Sequence, residues 1–360
     1  MTFLLLSFFL LLLPGPSWLI GYKAWGMFVA KVLSAFDVVV ILPDYRNFPQ
    51  GTVGDMLTDL DTAFGWIHEN IEQFGGDKNS MFVMGQSAGA HLALLTVLRK
   101  SQHEHQSGPD ATHRWRTSDV PAVIGIAGPY NVHDLQGSLN ARGLSRHMLN
   151  GIMEGRESLK KYSADYVVTT EEDFSNPAVT RRMPPVILLH GTADTCVPHQ
   201  ASRRTAEALA SADIRTFLRY YPQKSHTDSI IEDLVYAEDP CKEDMMTDIA
   251  TIVLARGRAL AVLPKVSYEI GRAADLPNRD EPPRRSNSHY FSQAPNSSDD
   301  DSSYSSSEEF EVHVDSDDER LRPSFLRPAM EKPHDFDLKK IRWSIMPWIL
   351  WRCAKLTNPF

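Results

Sequence analysis

Hydrophobic and polar positions alternate along most of this chain with two periods. Val38–Leu42 is apolar and β-branched and predicts a buried strand. Val53–Phe74 then sets Met56, Leu57, Leu60, Phe64, Ile67 and Ile71 at helical spacing, and Gly75-Gly76 stops the pattern. The same reading predicts strands over Met81–Met84, Ala122–Ala127, Val186–Leu189 and Thr216–Tyr221. Helices are predicted over Ala88–Leu98, Gln200–Ala210 and Asp244–Arg256. Strands alternating with helices of this length make βαβ units, so the fold class expected is α/β, a mostly parallel sheet with helices on both faces. Between Tyr130 and Pro184 the rhythm breaks. That stretch, with Met148, Ile152 and Met153 on one helical face, reads as a small cap inserted over the sheet.

The two ends depart from this rhythm. Phe3–Leu13 is an apolar run of eleven residues broken only by Ser7. It is too short to span a bilayer as a helix, which takes about 20 residues. A signal or anchor core and a buried parallel strand both fit it, and the two readings stand side by side. Composition changes near Pro277: Ser297–Glu319 holds ten Asp or Glu and eight Ser among 23 residues, with no Lys or Arg. Such a segment buries too little apolar surface to offset its ordering entropy and is expected to be disordered. Arg320–Phe360 turns basic, with nine Lys or Arg against three Asp or Glu. The cations and tryptophans of Lys339–Arg352 suit a helix at a membrane interface, kinked at Pro347.

Charge and cysteine content narrow the chemistry. The net charge of −9 over 360 residues comes mostly from the acidic tail, and nothing points to nucleic acid. Cys196, Cys241 and Cys353 are odd in number and widely spaced, which is no disulfide framework and no metal spacing. Neither GxxxxGK nor GxGxxG occurs, so no cofactor and no metal is expected.

Gly85-Gln86-Ser87-Ala88-Gly89 is a GxSxG motif between a predicted strand and a predicted helix. There it predicts a sharp turn that holds Ser87 in a strained conformation as a nucleophile and aims the N–H of Ala88 at a substrate oxyanion. A serine hydroxyl needs a base. In an α/β-hydrolase fold the order is serine, acid, histidine, each after a later strand. Asp194 is the first acid after Val186–Leu189, and His226 follows the strand ending at Tyr221, 32 residues on. Ser87, Asp194 and His226 are therefore the expected catalytic triad. Asp228 is the rival acid, but it stands two residues from the histidine, poorly placed to reach Nδ1. His91 is expected to pack inside the domain, His190 to support the acid loop and His199 to enter a helix. The organisation expected is an apolar segment over 1–17, a hydrolase domain over 18–262 with its cap at about 130–184, a disordered linker over 263–319 and a basic aromatic segment over 320–360.

Several strings resemble the isoprenylcysteine α-carbonyl methylesterase family. They are Gly21-Tyr22-Lys23-Ala24-Trp25-Gly26, Asp44-Tyr45-Arg46-Asn47-Phe48-Pro49-Gln50-Gly51, Phe74-Gly75-Gly76-Asp77 and Met84-Gly85-Gln86-Ser87-Ala88-Gly89-Ala90-His91. Ile152-Met153-Glu154-Gly155, His190-Gly191-Thr192-Ala193-Asp194 and Lys224-Ser225-His226-Thr227-Asp228 continue the likeness, which runs from about Trp18 to about Ala255. The resemblance implies hydrolysis of the methyl ester on a prenylated C-terminal cysteine, at endoplasmic reticulum and Golgi membranes with the active site facing the cytosol. It implies the same triad. It also implies an oxyanion hole shared between Ala88 and the loop Gly15-Pro16-Ser17, through Gly15 and Ser17. The family reads Gly-Gly-Ala-Trp where this chain reads Gly15-Pro16-Ser17-Trp18, and proline carries no N–H. Losing one such donor typically costs about two to three orders of magnitude in turnover, so a weakened enzyme is expected. The family also carries a long membrane-associated region and two strands ahead of this loop. The chain therefore reads as N-terminally truncated, or as using Phe3–Leu13 for the third strand.

Trp18, Tyr22, Trp25 and Tyr130, with the Met148–Met153 cap, could line a groove for a prenyl tail, against a reading of ordinary core packing. Asp44 and Arg46 are expected to brace the loop after a strand. Two rivals stand beside the methylesterase reading. One is a general carboxylesterase or acylamide hydrolase of the same fold; the other is a weakened or inactive membrane-associated homologue.

Overall fold

Phe8–Leu13, from the N-terminal apolar run, forms a strand, β1, that lies inside the sheet rather than at its rim. The computed structural model describes residues 8–13, 18–19, 23–108, 112–141, 143–254 and 268–270. After a short 3-10 turn, Lys23–Gly26, come α1 (Met27–Ser34), β2 (Val38–Ile41), α2 (Val53–Asn70), β3 (Met81–Gln86), α3 (Ala88–Ser107) and β4 (Val123–Ile126). Four short helices follow in the expected cap: α4 (Gln136–Ala141), α5 (Arg146–Ile152), α6 (Ala164–Thr170) and α7 (Pro177–Thr180). The alternation resumes with β5 (Val186–Gly191), α8 (Gln200–Ser211), β6 (Thr216–Tyr221), α9 (Asp233–Tyr236), α10 (Asp244–Leu254) and β7 (Tyr268–Ile270).

The seven strands run in the order β2-β1-β3-β4-β5-β6-β7. All neighbours are parallel except β6 and β7. This is the α/β-hydrolase fold. β7 corrects one expectation, because Tyr268–Ile270 falls inside the stretch 263–319 assigned to a disordered linker. The acidic serine run begins only at Ser297, and a tyrosine and an isoleucine flanking Glu269 are strand formers able to pair with an edge. Residues 271–360, which carry the rest of that linker and the basic aromatic segment, lie outside the described residues, as do residues 1–7.

Side chains alternate across the strands and so feed two cores. Val83, Val186 and Leu188 pack with Leu60 and Phe64 of α2, Leu95 of α3 and Leu149 of the cap. Phe82, Met84, Ile187 and Leu189 pack on the other face with Val32 and Leu33 of α1 and Ile249 and Val253 of α10. The start of α2 is fixed by a capping box, in which Thr52 and Asp55 each accept the other's backbone N–H. Glu154 ties the cap to this same turn. Its carboxylate accepts from Thr52 Oγ1 at 2.8 Å and from the Tyr162 hydroxyl.

The strand order places the site. The chain leaves β1 toward β2 on one side and returns to β3 on the other, so the direction of winding reverses between β1 and β3. In open α/β sheets, ligands bind beyond the carboxyl ends of the strands at such a reversal. There, β1 ends at Leu13, in register with Gly85, two residues before Ser87. Among the described residues, no helix is long and apolar enough to cross a membrane.

Candidate active site

Ser87 sits between β3 and α3 with φ 53° and ψ −125°, in the left-handed region that side chains avoid. Such a conformation costs on the order of 1–3 kcal/mol and persists only where its surroundings enforce it. Here the Ser87 N–H donates to the Ile126 carbonyl of β4 at 2.8 Å, pinning the turn to the next strand. A Cβ on Gly85 would collide with the backbone of Gly89 and Ala90, so the strand can bend sharply into the helix only with glycine there. As the first residue of α3, Ala88 holds one of the N–H groups that have no partner within the helix, at the positive end of its dipole.

His226 arrives from the turn after β6. Its Nε2 is 2.9 Å from Ser87 Oγ, and its Nδ1 is 2.7 Å from Asp194 Oδ2. The carboxylate can only accept, so the proton lies on Nδ1, and Nε2 is left to accept from the serine hydroxyl. Gln86, buried beside the nucleophile, donates to the His226 carbonyl at 3.2 Å. Asp228, the rival acid, accepts the Ser225 N–H at 2.6 Å and so closes its own turn. A Cβ on Gly191 would collide with the Lys224 carbonyl, which leaves glycine alone able to let the histidine loop close over the end of β5.

Asp194 is buried, and every bond it makes points inward. Oδ1 accepts the N–H groups of Cys196 and Val197 at 2.8 and 2.9 Å. Oδ2 accepts from His226 and from His190 Nε2, the latter at 3.1 Å. Burial alone would raise the carboxyl, but the hydrogen bonds from His190 and His226 overcome it and hold the group well below the usual carboxylate range. His190 Nε2 also lies 3.0 Å from the Val197 carbonyl, an acceptor only, so Nε2 carries the proton. Nδ1 then accepts from Ser202 Oγ of α8 at 2.7 Å. The sequence indicated that His190 supports the acid loop. It gave no sign of Ser202 or Gln86, which stand at no informative spacing.

The other predicted residues fall in three groups. Gly15, Ser17 and Tyr22, with Pro16, lie outside the described residues. Trp18 and Tyr130 are in the core, 1% and 0% exposed, and offer almost no surface to a substrate; their large rings fill the volume under the cap. Trp25 is half-buried. In the cap, Ile152 and Met153 face inward while Met148, in the first turn of α5, is exposed.

Trp18 has φ 60° and is held at both ends: its carbonyl accepts from Phe48 N at 3.0 Å, and its Nε1–H donates to His91 Nδ1 at 3.3 Å. His91 Nε2–H donates in turn to the Tyr162 carbonyl of the cap at 2.6 Å. Burial lowers the His91 imidazole to about 4, partly offset by that carbonyl bond, so it is neutral. Asp44 pairs with Lys23 and Arg46 with Asp59 and Asp55, which braces the loop after β2.

A serine, a neutral imidazole and a buried carboxylate joined in this order form a proton-transfer chain suited to attack on an acyl carbon. The chain is similar to two proteins of Arabidopsis thaliana. It is 37% identical over 243 residues to a probable isoprenylcysteine alpha-carbonyl methylesterase, covering 67% of this chain and 49% of the relative. It is 36% identical over 244 residues to an isoprenylcysteine alpha-carbonyl methylesterase, covering 67% and 54%. The chain thus spans about half the length of these relatives. Among solved structures, esterase B of Lactobacillus rhamnosis superposes with a TM-score of 0.56 at 15% identity over 70% of this chain and 76% of that one, a likeness of fold. The family model BD-FAE matches residues 9–209, which hold Ser87 and Asp194. With more than half of its residues inside that match, the chain belongs to the BD-FAE family of α/β-hydrolases.

Proposed function

We propose that this chain is a serine carboxylesterase whose nucleophile is Ser87, whose base is His226 and whose acid is Asp194. The carrying observation is the continuous relay from Ser87 Oγ to His226 Nε2 at 2.9 Å and from His226 Nδ1 to Asp194 at 2.7 Å. Ser87 Oγ attacks the ester carbonyl carbon as His226 Nε2 takes its proton, and Asp194 holds the imidazole and stabilises its charge. The carbonyl oxygen becomes an oxyanion against the Ala88 N–H, with Gly15 and Ser17 as the further donors that the family resemblance implies. His226 returns its proton to the leaving alcohol. Water then repeats the attack on the acyl-enzyme and frees Ser87.

The substrate proposed is the methyl ester of a prenylated C-terminal cysteine, with methanol as the first product. The motif strings and the names of the two Arabidopsis thaliana relatives support this choice. The resemblance of the motif strings to the family, with the basic tryptophan-bearing composition of residues 339–352, supports the further proposal that the protein works at endoplasmic reticulum and Golgi membranes with its site toward the cytosol.

The test is hydrolysis of a prenylcysteine methyl ester beside short p-nitrophenyl esters, with fluorophosphonate labelling of the serine. Expected are methanol release, preference for the prenylated ester, and loss of both turnover and labelling in Ser87→Ala. Preference for the short esters would overturn the substrate and leave a general carboxylesterase. An unlabelled wild-type serine would overturn the esterase itself.

A further inference from the structure

One side chain outside the proposed relay reaches its acid and base. Cys196 stands two residues after Asp194, in the turn whose N–H groups hold that carboxylate, and it is half-buried. A donor atom of Cys196, one of Asp194 and one of His226 all lie within 4.8 Å of one another. Among the described residues no other group of three His, Cys, Asp or Glu side chains meets that condition.

A thiolate, an imidazole and a carboxylate are a donor set for a borderline-soft divalent cation, and carboxylate with imidazole alone would favour none in particular. Tetrahedral zinc bonds sulfur at about 2.3 Å and nitrogen or oxygen at about 2.0–2.2 Å, which sets donor separations of roughly 3.3–3.6 Å. The three donors are near enough to close on a cation by side-chain rotation. Three protein ligands leave the fourth position for water, and the site borders the face that receives the substrate.

We propose that Cys196, His226 and Asp194 form an inhibitory site for zinc or a similar thiophilic divalent cation. The protons balance as follows. The Cys196 thiol gives its proton to solvent as sulfur binds, and Asp194 is already ionised. Coordination at His226 Nδ1 moves the single proton of the neutral imidazole to Nε2. That nitrogen then faces Ser87 as a donor and cannot take the serine proton. Nδ1 is the nitrogen that faces Asp194, so giving up its proton also frees a carboxylate lone pair for the cation. The base is thereby removed without touching the serine, and chelation of the metal restores it. The inhibitory consequence rests on the proposed role of His226, whereas binding of the cation does not.

The experiment titrates the full chain with Co2+, reading thiolate-to-cobalt charge-transfer absorption, and with Zn2+, reading fluorophosphonate labelling of Ser87. Wild type is expected to show the absorption band, to lose labelling as Zn2+ is added and to recover it with EDTA. Cys196→Ser, referred to its own metal-free labelling rate, is expected to lose the band and to need at least about tenfold more Zn2+ for half suppression. A band or a zinc response unchanged in C196S would overturn the site. A band without suppression of labelling would overturn its inhibitory role. A serine that is unreactive before any metal is added would count against the esterase, and the cobalt band would still decide the cation site.

Discussion

His190 and Asp194, four residues apart, are joined by a 3.1 Å hydrogen bond with neither side chain exposed to solvent. The bond enters the same oxygen that receives His226. One of the two imidazoles that stabilise the acid thus belongs to a residue outside the proposed relay. His190→Leu removes this donor and leaves Ser202 Oγ without its acceptor. A hydrogen bond to a charged group contributes about 1.5–3 kcal/mol, so kcat is expected to fall by at least about tenfold with little change in KM. Steady-state kinetics on any accepted ester, beside a melting curve, checks it; an unchanged kcat would remove His190 from the site.

Gly191→Ala tests the closure of the histidine loop. The added methyl would strike the Lys224 carbonyl and push Ser225 and His226 away from Asp194. Turnover should fall sharply while the sheet stays folded, and fluorophosphonate labelling should slow in parallel. Gly137→Ala is the control, since nothing lies within 4 Å of its new Cβ and the position is within α4. It should leave turnover alone and raise stability by about 0.4–1 kcal/mol.

The pH dependence of stability follows from His91. The imidazole titrates near 6.5 when unfolded and at about 4 when buried. The fold binds the neutral form, so the full stability is present above pH 6.5. It is lost as pH falls from 6.5 toward 4, because the unfolded chain takes up a proton that the folded chain refuses. The loss amounts to roughly 3 kcal/mol at most. Urea midpoints of wild type and His91→Phe across this window should show a shallower acid slope in the variant, even though the variant is less stable at neutral pH. Equal slopes would refute the assignment.

Pro16→Gly supplies an N–H where the chain has none. If residue 16 holds a donor position, turnover should rise by up to about two orders of magnitude. No gain would show that the segment 15–17 aligns differently with the substrate.

Much of this was legible in the amino-acid order. The parallel alternation could be read because buried strands are continuous apolar runs and the helices between them are amphipathic. Ser87, Asp194 and His226 could be chosen because a motif fixed the first and strand order fixed the others. What escaped had physical causes. α1 is only eight residues long, begins at a Gly26 cap with no side-chain bond, and is apolar but for Lys31 and Ser34, a run that periodicity alone does not tell from a strand. α3 runs nine residues beyond Leu98 because its later turns bury polar groups: Lys100 meets Asp61, Ser101 the Val179 carbonyl and Glu104 Thr117. Such pairings depend on residues far along the chain, which no local pattern reveals. The same holds for Gln86, which reaches the turn of His226 140 residues on, and for Ser202 of α8, which serves the site only through His190 of β5.

The nucleophile and its base are 139 residues apart in the chain, and the base hangs from β6, near the far side of the sheet. Ser87 can therefore be correctly bent on a finished β3–α3 corner and still be inert. During synthesis, the serine would gain its reactivity only when the last parallel strand docks. Afterwards, a local fraying of the β6 margin would silence hydrolysis while the older part of the molecule stays folded.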